Sequence, residues 1–148
     1  MKLHYENQQD KSDPMNGKVI VQHSDLTQLL EDRRNYRPFV ARLSGGNGFK
    51  LMVGISRNLG CIQYSSSTGD PPYLMAASRN PPLRSGYLEF MAGGTLTPCA
   101  ARYIITFDEL KTVVLDFLGT GKRSNAVLWQ ELDPKAIRKD VERQSCRD

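Results

Sequence analysis

Two histidines, three cysteines and one glycine-dense loop are the residues from which this 148-residue chain would have to build chemistry. His23 is followed at once by Ser24 and Asp25. A nucleophile relay uses these residue types, but it needs them to converge from separate parts of a fold with hydrogen-bond geometry. Ser24-Asp25 reads instead as the capped start of a helix. Cys61 falls inside an alternating stretch, where a cysteine behaves as a small core residue rather than a thiolate nucleophile. Cys61, Cys99 and Cys146 are odd in number and far apart. They predict no disulfide framework and suit a reducing compartment. With only His4 and His23 beside them and no C-x-x-C pair, no metal site is expected, because structural zinc needs about four convergent N or S ligands. Gly45-Gly46-Asn47-Gly48 lacks the Lys-Ser/Thr of a phosphate loop and lies between two alternating runs, the setting of a hairpin turn. There is no G-x-S-x-G, H-E-x-x-H or G-x-G-x-x-G. The residues describe a chain that binds rather than reacts: not an enzyme, and without a cofactor.

Charge points away from nucleic acid. Net charge is +4, and the excess lies in residues 19–105, with nine basic against five acidic groups. The basic groups there are spread along the chain, whereas nucleic-acid binders carry a dense basic stripe. A solvated surface is the reading that fits. No apolar run approaches the roughly 20 residues that span a bilayer. The first residues, MKLHYENQQDKSDP, are polar and predict no secretory signal. A cytoplasmic protein is expected.

The elements that would position a binding surface follow from local pattern. Residues 1–18, with Pro14, Asn16 and Gly17 as breakers, predict a flexible N-terminal arm. Val19–Val21 reads as a short strand. Leu26, Leu29 and Leu30 share one face of a helix that runs from the Ser24 cap to about Arg34. From Pro38 the period switches to two. Phe39, Ala41 and Leu43, then Phe49, Leu51, Val53 and Ile55, then Cys61 to Tyr64 predict an antiparallel meander, with turns at Gly45–Gly48 and Asn58-Leu59-Gly60. Tyr73–Ala77 and Tyr87–Met91 are the next strands, and the segment from Gly93 to Ile105 reads as irregular. Thr106 and Glu109 form a capping box ahead of Phe107, Leu110, Val113, Val114, Phe117 and Leu118, an apolar stripe at helical spacing that Gly119 should close. Ala126–Leu132 is a last strand, with Trp129 as a core anchor against that helix. Residues 135–148 are a charged tail able to form a loose helix over 135–143. The outline is α+β: a mostly antiparallel sheet of about five to six strands with helices packed on one face. Residues 19–134 form its one domain.

Tyr64, Tyr73, Tyr87 and Tyr103 fall near loop ends. Tyrosine is enriched at interface hot spots and also favours strands, so both roles stay open.

Three runs carry a family resemblance: Ile104–Leu110, Leu115–Arg123 and Val127–Glu131. A helix ending in phenylalanine, a short Thr-Gly-basic turn and a strand bearing a tryptophan follow in direct succession. Together with Ser85–Phe90 as a short aromatic strand, they resemble immunity protein family one of bacterial polymorphic toxin systems, whose members are often paired with deaminase toxins. Ser124 departs from the pattern, since proline often follows the basic residue there. The resemblance implies an antitoxin: an inhibitor that binds the catalytic domain of its cognate toxin, a deaminase or another nucleic-acid-acting enzyme, and protects the producing cell. Phe107, Phe117, Gly121 and Trp129 would then be structural signature residues, with specificity in the loops. The loops at 65–72 and 79–86 join charge to prolines, which lower the entropy lost on docking. Asp70, Tyr73, Arg84, Tyr87 and Glu89 are the candidate partner-binding residues, Tyr87 and Glu89 sharing one strand face. A small-ligand or regulatory binding domain of similar fold is the alternative.

Overall fold

Period-two alternation from Phe39 onward becomes three antiparallel strands in the computed structural model, which describes residues 1–132. They are β3 (Phe39–Gly45), β4 (Phe49–Ser56) and β5 (Leu59–Ser66), and they follow β1 (Leu3–Asn7), β2 (Val19–Ile20) and α1 (His23–Arg33) in the chain. Next come β6 (Leu74–Ala77), β7 (Tyr87–Ala92), β8 (Thr95–Ala100), a 3₁₀ turn at Ala101–Tyr103, β9 (Ile105–Thr106), α2 (Phe107–Thr120) and β10 (Leu128–Glu131). The main sheet runs β10-β6-β5-β4-β3-β1-β2, with β9 bonded to β5 and the β7–β8 hairpin hung from β3. All pairings are antiparallel except the single parallel bridge Phe39–Met91 between β3 and β7. The class is the expected α+β, but the sheet has ten strands among the described residues rather than five to six.

The alternation sorts side chains into two cores. Phe39, Leu43, Leu51, Val53, Ile55 and Ile62 face both helices and pack with Leu26, Leu30, Leu110, Val114 and Phe117. The opposite face contributes Val40 and Cys61 to a smaller core with Phe90, Cys99 and Tyr103, closed by the β7–β8 hairpin. Gly54 on β4 permits that closure, since a Cβ there would sit 2.7 Å from the Cys61 Sγ and 2.9 Å from the Phe90 ring. The segment expected to be irregular after Gly93 therefore holds β8. Its Pro98 is tolerated because β8 pairs only with β7 and leaves its other edge open.

Residues 1–18 are not a flexible arm. β1 inserts between β2 and β3, pairing with β3 from Leu3–Gly45 to Asn7–Ala41. Leu3 and Tyr5 are buried, while His4 and Glu6 point out. The following loop is held by Asp13, which lies against the buried Arg33 of α1 in a bidentate ion pair (2.6 and 2.9 Å). Tyr5 Oη and Asn7 Nδ2 also donate to Asp13, at 2.8 and 3.1 Å. Polar composition suggested disorder, but here polar groups bond one another across the fold.

Helix ends differ in how far local signals carry. In α2 the Thr106 Oγ1 accepts from the Glu109 N–H and Glu109 returns a bond to the Thr106 N–H, the expected capping box. The stop moves from Gly119 to Gly121, whose left-handed backbone (φ 71°) bonds back to the Phe117 carbonyl. In α1 the cap is Gln22, without a side-chain bond, and Ser24 lies inside the first turn. The tail expected at 135–148 lies outside the described residues.

Candidate functional site

The expected partner-facing residues fall on two layers. Asp70 and Tyr73 belong to the β5–β6 loop at the sheet edge. Asp70 is exposed and accepts from the Thr68 hydroxyl (2.9 Å). Tyr73 donates to the Gly69 carbonyl (2.6 Å), and its own carbonyl accepts from the Leu132 N–H, so the ring is fixed rather than swinging. Tyr87 and Glu89 belong to the covering hairpin, and Arg84 to the loop that leads into it. Arg84 and Glu89 are exposed and Tyr87 is half-buried, with Tyr87 and Glu89 outward while Phe90 turns into the smaller core. Among the described residues no hydrogen bond or ion pair joins the two groups.

The structure assembles a second group that sequence reasoning did not bring together. Strand register places Phe49, Tyr64 and Trp129 on the helix-facing side of the sheet, past the end of α2. Phe49 stacks on Tyr64 (centroids 4.9 Å apart, 16° between planes), and Tyr64 meets both Trp129 and Phe117 edge-on at 6.1 Å. Arg123 lies over the Tyr64 ring at 5.7 Å. Burial raises the Tyr64 hydroxyl above its ordinary pKa, and Arg123 opposes that rise. Trp129 was expected as a core anchor on the long helix. It is half-buried and packs against the core that α2 shares with the sheet, and its Nε1 donates to the Ser124 carbonyl at 2.7 Å. Ser124, which departs from the resembling family's proline, stiffens the turn by other means: its hydroxyl donates to Asp116 (2.6 Å) and accepts from the Ala126 N–H. A groove of about 560 Å³ opens here between Arg79, Lys122, Arg123, Leu128 and Trp129. The sequence singled out Tyr64, the basic turn and Trp129 separately, but no local signal brought them together.

Nothing at these positions forms a catalytic relay. His23, Ser24 and Asp25 are consecutive, exposed residues of one helix. The Cys99 thiol is raised well above its ordinary pKa by the adjacent Cys61 thiol and by burial, which keeps it protonated and unreactive. Among the described residues no cluster of His, Cys, Asp and Glu could hold a metal ion. An apolar cavity of about 240 Å³ between the sheet and the β7–β8 hairpin is smaller than the roughly 300–1,000 Å³ of common ligand pockets. No helix among the described residues is long and apolar enough to cross a membrane.

Comparison with known families settles the membership. The family described as Immunity protein Imm1 matches residues 17–131, from the end of the N-terminal loop through β10. The chain belongs to the Imm1 immunity protein family. The match spans both helices and the whole meander, and it contains the four signature positions. Within this Imm1 chain, Phe107 and Phe117 are buried core residues and Gly121 is the helix cap. No curated protein matches the chain.

Proposed function

We propose that this Imm1 chain is an antitoxin that binds and inhibits the catalytic domain of a cognate polymorphic toxin, a deaminase or another nucleic-acid-acting enzyme, in the cytoplasm of the producing cell. The family match over residues 17–131 carries the reading. The surfaces support it: rigid, half-exposed aromatics with charged neighbours are the side chains that dominate protein interfaces. In this reading the chain blocks the toxin by binding alone, and neither cofactor nor nucleic acid takes part. The contact surface is formed by the 65–72 and 79–86 loops, with Asp70, Tyr73, Arg84, Tyr87 and Glu89 as contacts.

Co-expression with a toxin domain encoded by a neighbouring gene of the producing cell is the direct test. Cells carrying both should survive, cells carrying the toxin alone should not, and the two proteins should co-purify. Survival lost in spite of a stable complex would remove inhibition from the reading; absence of any complex would remove the partner.

Replacing His4 and His23 together by alanine should leave protection at the parent level, because both are exposed and neither meets a nucleophile. A folded double variant that no longer protects would point to chemistry in this chain. Charge reversal at Asp70 and Glu89 should slow association several-fold at low salt and much less at high salt, because rim charges act mainly through steering. Association rates unchanged at both ionic strengths would place the contact elsewhere.

A further inference from the structure

The groove past the end of α2 has a chemistry of its own. Arg79, Lys122 and Arg123 line it, and no carboxylate does. Among the described residues none of the three is ion-paired, although the other layers of the fold pair Arg33, Arg34, Arg42 and Lys111. Arg79 is steadied by a bond to the Asn125 carbonyl (3.2 Å), and Arg123 by the Tyr64 ring. Lys122 and Arg123 follow directly on the α2 C-terminus, where the helix dipole favours cations. The turn that carries them is held at both ends, by Asn47 Nδ2 on the Gly121 carbonyl (2.8 Å) and by Ser124 on Asp116. Apolar surface stands beside the charges. Leu128 and Phe49 are 41% and 38% exposed.

From this juxtaposition we propose that the groove is the docking site for an acidic segment of the toxin domain. One or more partner carboxylates would sit among Arg79, Lys122 and Arg123, and a partner apolar side chain would lie against Leu128 and Trp129. The inference rests on the antitoxin reading and adds to the loop contacts a second contact surface with its own partner chemistry. Fixed aromatic and arginine side chains around a concave site lose little entropy on binding, the condition for a hot spot. A nucleic acid fits less well. Its backbone needs a run of cations spaced along several phosphates, and Tyr64 is already stacked on Phe49 with Arg123 over its ring, leaving little platform for a base. The Asp70 side of the neighbouring groove, which shares Tyr64 and Arg123, supplies the opposite charge and so sets the orientation of a partner that carries both signs.

The single tryptophan of the chain is Trp129, so a 5-fluorotryptophan-labelled protein has one fluorine resonance, and it reports on this groove. Adding the toxin domain that co-purifies with this chain, catalytically inactivated, should shift that resonance. Lys122→Glu/Arg123→Glu should weaken binding about 100-fold, as for charges desolvated at an interface. Lys122→Gln/Arg123→Gln avoids placing acids at the helix end, and Arg79→Glu changes a cation of the groove that lies outside the helix-end turn. Both should also weaken binding, with melting temperatures held and a shallower salt dependence. Parent-like affinity in these folded variants, or an unmoved resonance in a formed complex, would overturn the groove while leaving the antitoxin reading intact. A resonance that a single-stranded oligonucleotide shifts, in competition with the toxin domain, would overturn the acidic-protein assignment. A parent chain that does not bind the domain at all would overturn both readings.

Discussion

Asp13→Ala should cost about 3 to 5 kcal/mol, the loss found when one member of a buried ion pair is removed and the other is left charged and unpaired. Asp13 has no exposed side-chain surface and Arg33 very little. The variant would strand the Arg33 guanidinium under β1 and would take away the acceptor for Tyr5 Oη, Asn7 Nδ2 and the Met15 N–H as well. Because β1 lies inside the sheet, that loss reaches the helix-facing core through Leu3 and Tyr5. Replacing both charges by apolar residues, Asp13→Leu with Arg33→Met, should recover part of the loss, since no orphan charge remains. Urea unfolding of the single and double variants measures this; an Asp13→Ala midpoint equal to the parent's would show that the pair contributes nothing.

The same carboxylate sets an acid limit. Burial alone would raise the Asp13 pKa, but the Arg33 guanidinium and the N–H groups of Met15 and Asn7 outweigh it and hold the carboxyl well below the usual range. The folded pKa is therefore the lower one. Its stabilisation is complete above the unfolded value, about pH 4, and is lost as pH falls below it. The parent should lose stability between about pH 4 and pH 2 more steeply than Asp13→Asn does.

Phe117→Ala should cost about 3 to 5 kcal/mol and lower the melting temperature by roughly 10 to 15 °C. The ring is 1% exposed and sits where α2 meets the sheet. Its loss leaves a cavity that the close-packed β3–β5 face cannot fill without moving strands. The effect should extend to binding. Phe117 supports Tyr64 edge-on, and Tyr64 in turn supports Phe49, Trp129 and Arg123. At a temperature where the variant is still folded, it should therefore bind the toxin domain more weakly than the parent although no Phe117 surface is available for contact. A melting curve little changed from the parent's would mean that this end of α2 is not core.

Much of the fold was legible because its causes lie within a few residues. The capping box needs only Thr106 and Glu109, three positions apart, and the structure makes both of its bonds. The alternation of Phe39, Ala41 and Leu43 with Val40 and Arg42, and of Leu51, Val53 and Ile55 with their neighbours, describes strands with one buried face whatever the partner is. The immunity family was legible in the run from Ile104 to Glu131, because a capped helix, a glycine stop and an adjoining strand are contiguous in the chain. The stop was misplaced by two residues since Gly119 and Gly121 are equally able to end a helix, and the choice of Gly121 goes with the bond from Asn47, 74 residues away.

Other features were decided by residues that the chain does not place near one another. Leu3 and Tyr5 look like isolated apolar residues in a polar arm until β2 and β3 pair on either side and Arg33 meets Asp13 across 20 positions. β8 shows no clean alternation, since its first residues are exposed on both faces and its last are buried on both, and its pairing comes from β7 alone. The groove of Tyr64, Arg79, Arg123 and Trp129, with Phe49 in the groove beside it, draws on β4, β5, β10 and two turns. Residue type, spacing and local backbone preference determine which elements form and which face of each is apolar. Which polar groups are neutralised by a partner, and which cations are left without one, depends on distances that exist only after those elements have packed.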